Sequence, residues 1–282
     1  MLDYHVHTNF CNHSTNPILT TALAAQERGL TGICFTEHLF YYRGKWSMDQ
    51  NTIKTYIDEI KKARIKVQIF LGIGFELDYN GENTLEFYNN YLKNHPDIDF
   101  ILGAVHFITE MDIGLSESDP RFLKFCRKPI RKVFNIYFQK VKRAISTGIF
   151  DSIAHIDLIK RWSGKHFPYL EPIKYQATII ELSNLLSENN VAVEINTCGL
   201  HSLIKDFFPS RHFLCECFRK GVPLTFGSDC HDYKIIGRNL DEATLFAKHI
   251  GYTHFFQFKN RQKYKVNLNY NYENEHKNNN KD

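Results

Sequence analysis

Residues 1–14 read MLDYHVHTNFCNHS and place His5, His7 and His13 within nine positions. If 2–7 is a strand, Leu2, Tyr4 and Val6 share one face, and Asp3, His5 and His7 share the other. Two imidazoles then point the same way at the strand's C-terminal end, where neutral rings can share one divalent metal. Alone the signal is weak: 14 histidines in 282 residues make about one His-x-His arise by chance. The competing reading is a pair of histidines packed at a barrel rim. The decision rests on whether the rest of the chain brings partners to the same place.

Outward from this stretch, strands and helices alternate. Pro17 opens a helix over 17–28 and Gly29 closes it, the usual placement of those two residues. A second strand follows at 32–36, and Ser47 is the expected N-cap of a helix over 47–63. The third strand is 67–72, a helix covers 85–93, and the fourth strand is 100–105. An insertion, 109–128, precedes a strong helix over 129–146. Its Val133, Ile136, Tyr137, Val141 and Ile145 make an apolar stripe at helical spacing, read as core-facing. Strand five is 152–154, with a helix over 172–187. Short apolar runs at 191–195, 222–226 and 254–258 are separated by helices at 210–220 and 240–250.

This order argues for an α/β protein with a parallel sheet and helical crossovers. Seven or eight strands in about 260 residues suit a closed (β/α) barrel better than an open sheet. The barrel is expected as a single domain over 1–262. A polar tail follows over 263–282, in which 264–268 completes an outer hairpin and the Asn-rich end is disordered.

Composition narrows the function classes. A hydrophobic share of 43% supplies a large core, and the net charge of +4 comes without a basic run. A dedicated nucleic-acid binder is therefore not expected, whereas a small anionic substrate is compatible. Seven cysteines, odd in number and without a Cys-x-x-Cys pair, read as reduced thiols of a cytoplasmic protein. Of these, Cys11, Cys198 and Cys230 read as small packing residues. No signal peptide precedes the first strand, and no apolar run is long enough to cross a membrane. No oligomeric state is assigned.

The chemistry gathers where strands end. CFTEH puts His38 at the edge of strand two, and GIGFELDY puts Glu76 just past strand three. GAVHF gives His106 and SIAHID gives His155. TFGSDCH places Asp229 and His231 on one face, by the same alternation as His5 and His7. In a (β/α) barrel these ends converge on one mouth, where active sites are built. Seven histidines, one glutamate and one aspartate at one rim exceed what a single ion uses. Two or three divalent metals are implied, and imidazole with carboxylate suits zinc, iron or manganese.

The ordered set HVH, His13, TEH, the strand-three glutamate, VH, AH and GSDxH resembles the PHP (polymerase and histidinol phosphatase) superfamily. The likeness runs to about residue 250, and GIGFELDY, GAVHF and EINTCGL are similar to its histidinol-phosphatase branch. The resemblance implies a distorted (β/α)7 barrel with a trinuclear site. His5, His7, Glu76 and Asp229 would hold one metal. Glu76 would bridge to a second, completed by His106 and His155, and His13, His38 and His231 would hold the third. It implies a metal-dependent phosphatase acting on L-histidinol phosphate in histidine biosynthesis. A metal-bridging hydroxide, held by Glu76 and Asp229, would attack phosphorus while the metals offset the charge of the dianion.

Substrate recognition is less marked. Arg161, in HIDLIKRW, is the first candidate for pairing with phosphoryl oxygens. The branch's segment after strand six resembles INTSGLRK, whose arginine contacts phosphate. Here the segment is INTCGLHS, so His201 stands where the arginine would be, with Lys205 or Arg211 available to compensate. This departure keeps open a different phosphomonoester, such as a phosphotyrosine peptide or a small metabolite. Two further rivals are an amidohydrolase, which uses a modified strand-four lysine where this chain has His106, and a non-catalytic metal-storing barrel.

Overall fold

The computed structural model describes residues 1–39, 46–108, 111–112, 127–163 and 170–268. Seven parallel strands form one sheet in the order β1 (Leu2–Val6), β2 (Gly32–Leu39), β3 (Phe70–Asp78), β4 (Phe100–Ala104), β7 (Ser152–Ile153), β8 (Ala192–Asn196) and β9 (Leu224–Gly227). The last strand returns to the first. Val6 bridges Cys230 in parallel, the His7 N–H donates to the Cys230 carbonyl at 2.9 Å, and the Cys230 N–H donates to the His5 carbonyl at 3.2 Å. The sheet is thus a nearly closed (β/α) barrel. A short hairpin, β5 (Phe107–Ile108) with β6 (Met111–Asp112), leaves it after β4. Most of the expected insertion lies outside the described residues.

The helices cover the barrel as their apolar stripes require. They are α1 (Ile18–Glu27), α2 (Ile53–Arg64), α3 (Glu82–Phe87), α4 (Ile130–Ser146), α5 (Gln176–Glu188), α6 (Arg211–Arg219) and α7 (Leu240–Ile250). In α4 the buried face is Val133, Phe134, Tyr137, Phe138, Val141, Ala144 and Ile145. Ile136, expected in that stripe, is only half-buried because Phe134 and Phe138 occupy the barrel side. Truncating Phe138 to alanine would cost about 3–5 kcal/mol through the cavity it leaves.

Several boundaries differ from expectation for physical reasons. β2 and β3 run on through Glu37, His38, Glu76 and Asp78, all buried. His38 and Glu76, read as strand ends, are in fact strand residues facing one another inside the mouth, whereas Glu37 points to the other face of β2 and accepts from the Thr8 N–H at 2.6 Å. Ser47 does not cap α2; its hydroxyl donates to the His38 carbonyl at 3.3 Å, and Asp49 caps the short 3-10 turn Gln50–Thr52 instead. The helix expected over 85–93 is α3 followed by a π turn, Tyr88–Leu92.

β1 pairs Asp3 with Ile33 and Val6 with Phe35, so it carries one extra residue, a bulge. The bulge corrects the simple alternation: Tyr4 is not grouped with Leu2 and Val6 against the helices. Its ring packs edge-on against Phe100 of β4, three strands away in the sheet, at 4.9 Å between centroids. Finally, β10 (His254–Lys259) and β11 (Gln262–Asn267) form an antiparallel hairpin outside the seven-stranded sheet. The expected barrel–tail boundary at 262 falls inside this hairpin, and residues 269–282 lie outside the described residues.

Candidate metal centre

Glu76 is the hub of the barrel mouth. Its Oε2 lies 2.6 Å from His38 Nδ1, 3.3 Å from His5 Nε2 and 3.6 Å from His7 Nε2. Its Oε1 lies 3.1 Å from His155 Nε2 and 3.4 Å from His106 Nε2. Asp229, just past β9, sets its Oδ1 3.4 Å from His7 Nε2 and 3.6 Å from both His5 Nε2 and His231 Nδ1. His13 Nε2 closes the group at 2.6 Å from His231 Nε2. The nine residues expected at the site therefore form one continuous cluster. It runs from a buried floor (His5, His7, Glu76 and His155) to an exposed rim at His13.

Within it, several sets of ligand atoms lie within 4.8 Å of one another: His5, His7 and Asp229; His5, Glu76 and His155; His7, His38 and His231. The sets share corners, since His7 reaches both the Asp229 side and the His38–His231 side. His5 Nε2 and His7 Nε2 are buried without a hydrogen-bond partner. Unsatisfied buried polar atoms are costly, and atoms of this type converging on one space fit divalent cations.

The electrostatics favour neutral rings at four of the histidines, while at His5 burial is outweighed by the carboxylates of Glu194, Asp229 and Glu76, which hold it above its ordinary value. Burial lowers His7 well below its ordinary pKa, and the neighbouring His38 and His231 push it further. Burial also lowers His13, His38 and His231. These rings stay neutral near pH 7, the form that binds metal. Burial would raise Glu76, but the rings of His38, His5 and His106 outweigh it and hold the carboxylate well below its usual range. Asp229 follows the same pattern, through His5 and His7.

Two of the nine sit on backbone that non-glycine residues avoid: His155 at φ 27° and Asp229 at φ 55°. Such positions cost of order 1–3 kcal/mol and persist where the surroundings fix them. The surroundings here include polar residues the sequence did not single out. Glu194 of β8 accepts from the His155 N–H at 2.8 Å, and its other oxygen lies 2.7 Å from His5 Nδ1. The Asp78 carboxylate accepts from the His106 N–H at 2.8 Å. Asp3 accepts from the Ser228 N–H at 2.9 Å and from its hydroxyl at 2.5 Å, tying β1 to the end of β9. A signal existed for Glu194, the single charged residue of β8 (AVEIN); Asp78 shares β3 with Glu76, and Asp3 shares β1 with His5. Gly227 is required beside them, because a Cβ there would overlap Glu194 Oε1 and lie 2.5 Å from His5 Cβ.

The cysteines near the motifs do more than pack. Cys198 Sγ donates to Asp229 Oδ2 at 3.3 Å, and Cys11 lies within metal-binding reach of His13 and His231. The six cysteines among the described residues are free.

Of the substrate candidates, Arg161 sits half-buried on the 3-10 turn Leu158–Trp162 after β7. Its charge acts on the thiol of Cys198, which itself contacts Asp229. His201 and Lys205 are exposed on the segment after β8. His201 Nε2 is 2.7 Å from Asn239 Oδ1, so that nitrogen is already engaged.

Fold and site together define a (β/α) barrel with a histidine-rich candidate centre for divalent metal. A family model described as the PHP domain matches residues 3–198, and the chain belongs to that family. The Bacillus subtilis (strain 168) protein named "Histidinol-phosphatase" is 28% identical over 256 residues, 83% of this chain and 95% of that protein. The Deinococcus radiodurans "Probable histidinol-phosphatase" is 26% identical over 260 residues, 89% of this chain and 94% of that protein. A crystal structure of histidinol phosphate phosphatase from Lactococcus lactis subsp. lactis, complexed with zinc, L-histidinol and phosphate, superposes with a TM-score of 0.79 at 24% identity. The match covers 94% of this chain and 98% of that one.

Proposed function

We propose that this protein is a metal-dependent phosphatase that hydrolyses L-histidinol phosphate to L-histidinol and phosphate, a step of histidine biosynthesis. The cluster of nine metal-type donors around Glu76 carries the reading. The names of its relatives, and the ligands of the Lactococcus structure, favour this substrate over other phosphomonoesters.

In this reading His5, His7, Glu76 and Asp229 would hold one ion, Glu76 with His106 and His155 a second, and His13, His38 and His231 a third, the ions being zinc, manganese or iron. When bound, such ions offset the double negative charge of a phosphate monoester and lower the pKa of bound water towards neutrality. Glu76 and Asp229 would keep their carboxylates ionised and would position a water for attack on phosphorus. Burial of His5, His7 and Glu76 keeps bulk water from competing for them. Arg161 pairs with phosphoryl oxygens through its two-donor fork. A cytoplasmic site of action goes with this biosynthetic role.

One observation favours a second reading, in which a different phosphomonoester is the substrate. His201, standing where the branch has a phosphate-contacting arginine, is turned to Asn239. A panel of L-histidinol phosphate, a phosphotyrosine peptide and an oligonucleotide, assayed for phosphate release with added zinc or manganese, separates the two. Preference for L-histidinol phosphate supports the first reading; preference for the peptide overturns it. Metal binding without any release would point to the storage barrel.

A further inference from the structure

β8 contributes none of the nine cluster residues, yet it lies between β7, which leads to His155, and β9, which leads to Asp229. Two of its side chains, Glu194 and Asn196, are fully buried and share one face. Glu194 spends one oxygen on each neighbour: Oε1 is 2.7 Å from the His5 imidazole and Oε2 is 2.8 Å from the His155 N–H. Asn196 Nδ2 donates to Glu194 Oε2 at 3.0 Å and reaches Asp229 Oδ2 at 3.5 Å.

We propose that Glu194 is a positioning residue that couples two ions of the centre, by fixing His5 of one set and His155 of the other from a single carboxylate. This inference rests on the metal reading given above.

The argument is geometric. A histidine that binds metal through Nε2 needs its Nδ1–H held, so that the ring keeps its tautomer and direction. For His5 the atom beside Nδ1 is Glu194 Oε1. His155 poses a different problem, since its backbone adopts the left-handed φ of 27° and would relax if its N–H were released. The bond to Glu194 Oε2 opposes that. Because both bonds end on one rigid, buried carboxylate, the rings cannot drift independently. Gly227 leaves the space the carboxylate occupies. The only oxygen of a glutamine side chain could serve His5 or His155, not both, so Glu194→Gln tests the double role with little change of volume.

The experiment compares the full chain with Glu194→Gln and Asp78→Asn. Asp78 meets His106, on one side of the centre. Each protein is dialysed against zinc buffers of graded free concentration, and bound zinc per chain is measured alongside thermal unfolding and turnover. Glu194→Gln is expected to weaken zinc binding by about 10–100-fold. Two ions should be lost together as zinc falls, whereas Asp78→Asn should weaken one. Turnover of Glu194→Gln should recover at high zinc, which general damage to the fold would not permit. Zinc binding by Glu194→Gln like that of the unaltered protein overturns the inference, as does loss of a single ion. If Glu194→Gln does not fold, Glu194→Asp, which withdraws the carboxylate by one methylene, takes its place with the same two outcomes. An unaltered protein that binds no zinc or manganese would instead overturn the metal reading itself.

Discussion

Tyr4 and Phe258 hold each other by two hydrogen bonds. The Tyr4 hydroxyl donates to the Phe258 carbonyl at 2.9 Å and accepts from the Phe258 N–H at 2.7 Å. One buried side chain of β1 thereby stands in for a neighbouring strand along part of the β10–β11 hairpin. Tyr4→Phe leaves both backbone groups of Phe258 unpaired in a buried place. A loss of about 1–3 kcal/mol in urea unfolding is expected, with turnover kept. An unchanged midpoint would show that water or a shifted hairpin replaces the hydroxyl.

Glu76 faces five imidazoles, so no other residue can take over its place. Glu76→Ala should lower kcat/KM by at least about a thousandfold, the equivalent of several kcal/mol of charge stabilisation. It should also reduce bound metal per chain. Loss of turnover with full metal content would move Glu76 from holding metal to another task.

His201→Arg is expected to raise kcat/KM for L-histidinol phosphate by roughly tenfold, since a guanidinium adds a charge-assisted pair of hydrogen bonds. The gain requires the new side chain to leave Asn239 for the substrate. No gain, in steady-state phosphate release, would mean that this segment does not touch phosphate here.

Asp151 gives a pH dependence with a definite sign. Burial pushes its carboxyl up to about 6, although Arg261 pairs with it at 2.5 Å. The folded chain then holds this proton more tightly than the unfolded chain, whose carboxyl has the ordinary value of 3.8. The stability this confers is complete below the ordinary value and is lost as pH rises towards 6, by up to about 3 kcal/mol. Asp151→Asn should flatten that part of the profile in urea unfolding from pH 4 to 7. Parallel profiles for both proteins would remove Asp151 as the cause.

The barrel was legible from alternation, since helices with apolar stripes and short apolar strands admit few other architectures. The nine cluster residues were legible too, because each follows or sits near the end of such a strand. The extent of β2 and β3 was not. A buried Glu76 looks like a strand end until the imidazoles around it are known, and those come from several segments of the chain. Glu194 escaped for the same reason: its reason for being buried, His5, is 189 positions away. The face of Tyr4 was lost to a one-residue bulge that no local pattern announces.

The barrel closes by joining its last strand to its first, and this orders events in time. His5 and His7 leave the ribosome more than two hundred residues ahead of Asp229, which would complete their set. Contacts so far apart in sequence form late and slowly. Until then the β1 histidines would lack the partners that bury them in the finished barrel. Supply of the correct ion during synthesis, as well as affinity in the finished barrel, would then govern what the centre contains.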